Sequence, residues 1–76
     1  QKLIHSIKIE DKISLTREFY TLFKAGMNID EILVSLARQA RNPKMKEIIE
    51  EVHQEVGAGS SLSAAMAGHP ELFDRL

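Results

Sequence analysis

The sequence predicts an all-α fold: an antiparallel helical bundle of four helices plus the start of a fifth. Three observations lead there. Apolar residues recur at three- and four-residue spacing in successive stretches. Each stretch opens on a helix-start residue and closes on glycine or on an Asn-Pro pair. No alternating β-branched run between hairpin turns competes as a strand. The short connections between stretches favour antiparallel or steeply crossed neighbouring helices.

Residues 1–10 read as a lead-in segment, with Leu3, Ile4, Ile7 and Ile9 among Lys and His. It is either an extended arm or a poorly ordered terminus. Residues 11–76 read as the helical domain. The first helix is predicted from Asp11, as N-cap, to Ala25, with Leu15, Phe19, Leu22 and Phe23 as its apolar stripe. Gly26 ends it, because glycine takes the left-handed cap conformation without a Cβ clash, and Met27 folds back onto Leu22.

Asn28 is the expected cap of a second helix over Ile29 to Arg41, with Glu31 as capping-box partner. Ile29, Ile32, Leu33, Leu36, Ala37 and Ala40 form its buried stripe, and Arg38 and Arg41 suit the negative end of its dipole. The third helix starts most sharply: Asn42 caps it, and Pro43 fills the first turn, where a missing N–H costs nothing. Met45, Ile48, Ile49, Val52 and Val56 line one side, leaving Glu47, Glu50, Glu51, Gln54 and Glu55 on the other. Gly57-Ala58-Gly59 closes it. A short fourth helix, Leu62 to Ala67, is capped by Ser61 or Ser60 and stopped by Gly68; His69-Pro70 then opens a fifth stretch carrying Leu72, Phe73 and Leu76.

Composition narrows the function. Of 76 residues 43% are apolar and 28% charged, a soluble globular balance, and a chain this short buries only about 60–65% of its unfolded surface. There is no cysteine, which excludes disulfides, cysteine-held metals and thiol catalysis. The longest apolar run, Ala64-Ala65-Met66-Ala67, falls far short of the ~20 residues of a spanning helix, and the opening Gln1-Lys2-Leu3-Ile4-His5-Ser6 lacks the long apolar region expected of a signal peptide. The chain lacks an initiator Met and is expected to be a fragment or excised domain.

The net charge of −1 argues against a general nucleic-acid binder, yet it hides a division. Residues 1–46 carry nine basic groups against five acidic ones, while residues 47–76 carry one against six. Either the halves neutralise each other within one fold or the dipole pairs with a second molecule.

Candidate chemistry is sparse. His53, Glu50 and Glu47 share one side of the third helix but form no complete metal motif, so a solvated acidic face is the plainer reading. His5 and His69 have no nearby nucleophile; Ser60, Ser61 and Ser63 lack a glycine-flanked elbow and suit caps. Gly57-Ala58-Gly59-Ser60-Ser61 lacks the lysine and preceding strand of a phosphate loop. Helix–Gly26–helix has the outline of a DNA-reading helix-turn-helix, but Asp30 and Glu31 would meet the bases. No catalytic residues, cofactor or metal are expected.

In order, Leu15-Thr16-Arg17-Glu18-Phe19, Ala25-Gly26-Met27, Asn42-Pro43, Gly59-Ser60-Ser61-Leu62-Ser63-x-Ala65 and His69-Pro70-x-x-Phe73 resemble the cytoplasmic domain of the type II secretion system F protein and the related type IV pilus assembly platform protein. Leu15 stands where the family usually shows Phe, Asn28 where Pro is common, and Ala64 where Glu is frequent. The last change weakens a capping box by about 0.5–1 kcal/mol.

The resemblance implies a domain of roughly six helices, of which this chain would hold the earlier ones. The lead-in Ile7-Lys8-Ile9-Glu10-Asp11 resembles that of the first of the family's two domain copies. The resemblance also implies a non-enzymatic scaffold on the cytoplasmic side of the bacterial inner membrane. The implied partners are the assembly ATPase, bitopic inner-membrane assembly proteins, and pilin or pseudopilin. Glu47, Glu50, Glu51 and Glu55 are the expected partner surface. Leu15, Arg17, Phe19, Gly26, Asn42, Pro43, Gly59, Ser61, Leu62, Pro70 and Phe73 are expected to be structural. Leu72, Phe73 and Leu76, expected to lack cover, suggest a dimer. The alternative is a small helical regulatory or DNA-binding module.

Overall fold

A computed structural model of the chain describes residues 6–73; positions 1–5, with His5, and 74–76, with Leu76, lie outside that range. Five helices and no strand occur among the described residues: α1 (Ile9–Lys24), α2 (Ile29–Gln39), α3 (Pro43–Gly57), α4 (Leu62–Ala67) and α5 (Pro70–Phe73). The all-α class is therefore correct. No described helix is long and apolar enough to cross a membrane.

α2 and α3 make the centre. Ile32, Leu33, Leu36 and Ala37 from α2 meet Met45, Ile48, Ile49 and Val52 from α3, and Leu15, Ala65 and Leu72 complete the core. Both contributions follow the helical period, so each helix turns one broad face inward. The two helices fold back on each other across a short turn: His53, late in α3, reaches Asp30, in the first turn of α2, at 2.6 Å. His53 is thus engaged with the neighbouring helix rather than left on a solvated face.

The local start signals explain the boundaries. Asn28 Oδ1 accepts the Glu31 backbone N–H at 2.8 Å. Asn42 Oδ1 accepts from Lys44 and Met45 at 2.8 and 3.0 Å, with Pro43 opening the helix. Ser61, not Ser60, caps α4 through Ala64 N at 3.1 Å. Gly26 has φ +89°, and the Met27 N–H bonds back to Leu22 O at 3.3 Å, a glycine-dependent closure.

Three expectations about α1 and α2 need correction. α1 begins at Ile9, and Asp11 is not its N-cap: it sits in the first turn and its carboxylate accepts from the Lys8 backbone N–H at 3.0 Å. α2 ends at Gln39, short of Arg41, because Ala40 is already extended and Asn42 precedes a proline, which disfavours helical backbone. Phe23 belongs to no buried stripe: it is 59% exposed.

Candidate partner-binding surface

The rotation of α3 is set by its core stripe. With Met45, Ile48, Ile49 and Val52 turned inward, Glu47, Glu50, Glu51 and Glu55 must point outward, and all four are exposed. They do not form one uniform patch. Glu50 lies on the flank toward α2, beside Arg38, Lys46 and His53, along a shallow groove also lined by exposed Val34 and floored by buried Leu33. Glu51 and Glu55 lie on the opposite flank, 3.6 and 3.9 Å from the largely covered imidazole of His69. Glu47, with its side chain 61% exposed, stands between the flanks, and Lys44 approaches it at 3.9 Å.

This arrangement suits recognition by charge. Exposed carboxylates on a helix held rigidly by its opposite face can accept charge-assisted hydrogen bonds from a basic partner at little ordering cost. Among the described residues no three His, Asp or Glu side chains gather to hold a metal ion. The Ser61 hydroxyl is engaged as a helix cap, and both described histidines lie against carboxylates.

The residues expected to be structural occupy these positions. Leu15 is buried, while Phe19, Leu62 and Phe73 are half-buried against the core. Pro43 and Pro70 open α3 and α5. Gly59 has φ +113°, and the next residue, Ser60, donates its N–H back to Glu55 O at 3.0 Å. Arg17 is exposed on α1. Leu72, expected to lack cover, is fully buried.

One surface escaped the sequence reading. Ile9, Ile13, Tyr20 and Phe23 make a second apolar stripe along α1, at 51, 50, 60 and 59% exposure. Phe23 stacks on Phe19 with ring centroids 6.3 Å apart, and Lys24 Nζ lies 5.3 Å above the Tyr20 ring. Beside this stripe an apolar groove of about 260 Å³ runs between Leu15, Phe19 and Phe23 of α1 and Leu62, Met66 and Phe73 of the C-terminal helices. The signal was present: Ile9, Ile13 and Tyr20 keep helical spacing, but assigning Ile9 to the lead-in broke the series.

Comparison with known proteins gives consistent matches. The family model described as type II secretion system (T2SS), protein F, matches residues 15–76. A type IV pilus assembly protein PilC from Myxococcus xanthus is 34% identical over 67 residues, covering 88% of this chain and 16% of that protein. A type II secretion system protein F from Vibrio cholerae is 31% identical over 70 residues, covering 92% of this chain and 17% of that one. A PilC from Thermus thermophilus is 32% identical over 68 residues, 90% of this chain and 16% of its own. The chain therefore spans less than a fifth of the length of these curated relatives. No solved structure matches it.

Proposed function

The chain belongs to the type II secretion system protein F family, and on that premise we propose that it is a non-enzymatic docking domain of an inner-membrane platform for type II secretion or type IV pilus assembly. The family match over residues 15–76 carries the proposal. The domain lies on the cytoplasmic side in this reading, and it binds the assembly ATPase through Glu47, Glu50, Glu51 and Glu55. Contacts with bitopic inner-membrane assembly proteins and with pilin or pseudopilin belong to the same role. The exposed carboxylates on a well-anchored α3 support it, since charge complementarity steers encounter and selects partners.

Self-association as a dimer is part of the proposal. Its support moves from Leu72, which is buried, to the exposed α1 stripe of Ile9, Ile13, Tyr20 and Phe23. The test is to mix the chain with the purified assembly ATPase of the same system and follow complex formation by size-exclusion chromatography with light scattering. A complex is expected. No complex with the ATPase, together with salt-dependent binding to a DNA duplex, would overturn the docking reading in favour of a nucleic-acid module.

A further inference from the structure

Asn42 uses both ends of its amide. Oδ1 accepts from the Lys44 and Met45 backbone N–H groups, and Nδ2 donates to the backbone carbonyl of Ser6 at 2.8 Å, across 36 residues of sequence. Two N–H donors on one side and a carbonyl on the other leave only one sensible orientation of the amide. The extended residues before α1 are fastened at each step. Ser6 is held by Asn42, Ile7 packs against the core, and the Lys8 N–H bonds to the Asp11 carboxylate inside α1. The strap is thus joined to α1 at one end and to the corner between α2 and α3 at the other.

α1 otherwise has a light hold. Leu15 is its one buried side chain, whereas α2 and α3 bury four each. At its far end the chain turns through Gly26 in a left-handed conformation.

We propose that Asn42 is a two-sided latch: it caps α3 and, through Ser6, holds down the N-terminal end of α1, so that α1 can be released about the Gly26 turn while α3 stays folded. Release opens the apolar groove whose near wall is Leu15, Phe19 and Phe23. A pull on the segment preceding Ser6 is then felt first at the α2–α3 corner. The latch concerns the fold alone and stands or falls separately from the docking role.

The two ends of the latch can be separated. Asn42→Ser and Asn42→Asp keep a capping oxygen and lose the Nδ2 donor; Asn42→Ala loses both. Amide hydrogen exchange is measured on the 76-residue chain and each variant, with circular dichroism to verify folding. Asn42→Ser and Asn42→Asp are expected to speed exchange of the hydrogen-bonded amides of residues 12–24 by about five- to tenfold, the equivalent of one hydrogen bond, and to leave residues 44–46 at wild-type rates. Asn42→Ala is expected to speed both regions. If α1 exchange is unchanged in Asn42→Ser and Asn42→Asp, or if α1 and α3 accelerate together in them, the latch is overturned. Should Asn42→Ala fail to fold, these two variants still decide.

Discussion

α1 is the longest helix, at 16 residues, and buries one side chain; α2, at 11, buries four. The contrast shows that length and apolar content do not set how firmly a helix is held. α2 and α3 each gather their apolar residues into one face and present it to the other. α1 divides its own between an inner stripe around Leu15 and Leu22 and an outer one through Ile13 and Tyr20, and only the inner stripe meets the core. The paired helices therefore act as the platform on which the acidic surface is displayed, and α1 as an attached arm.

Truncating a core side chain in each region tests this contrast most severely. Ile48→Ala, in a site 1% exposed, is expected to cost about 3–4 kcal/mol, a large part of the stability of a domain this size. Leu15→Ala, at the edge of the core, is expected to cost about 2 kcal/mol. Urea denaturation checks both, and a Leu15 loss equal to or above that of Ile48 would end the distinction. Gly26→Ala comes next: a Cβ there meets nothing within 4 Å, so its expected cost of about 1–2 kcal/mol is the left-handed backbone alone. Asn28→Ala should remove about 1 kcal/mol by uncapping α2, read in the same denaturation series.

The outer stripe gives the smallest effect. Ile13→Ser with Tyr20→Ser is expected to change stability by no more than about 0.5 kcal/mol each, because both side chains are already half or more in water. The same double variant should lower the apparent mass in light scattering if this stripe carries the dimer. An unchanged mass would remove it as the contact.

What the sequence made legible was local. Asn28, Asn42-Pro43 and Ser61 announce their helices within three residues, and the core stripes of α2 and α3 follow a single period. The exposed position of the α3 carboxylates followed from that period. The true N-cap of α1 was hidden because Lys8 is not a capping residue type, while Asp11, which is, sits inside the first turn. Phe23 was misplaced because it keeps helical spacing with both stripes, four residues from Phe19 and three from Tyr20, and only the packing of neighbours decides which stripe is covered. The His53–Asp30 and Asn42–Ser6 contacts span 23 and 36 residues, and no spacing rule reaches that far.

The outer face of α3 is the proposed docking surface, and charge reversal there tests it directly. Glu47→Lys, Glu50→Lys and Glu51→Lys, combined in one chain, are expected to leave the fold intact, since exposed ion pairs contribute about 0–1 kcal/mol. Isothermal titration of this variant and of the wild-type chain into the assembly ATPase is the deciding measurement. A Kd raised by about tenfold or more, with an unchanged circular dichroism spectrum, is the expected result. An unchanged Kd would contradict the assignment of this acidic face as the docking surface.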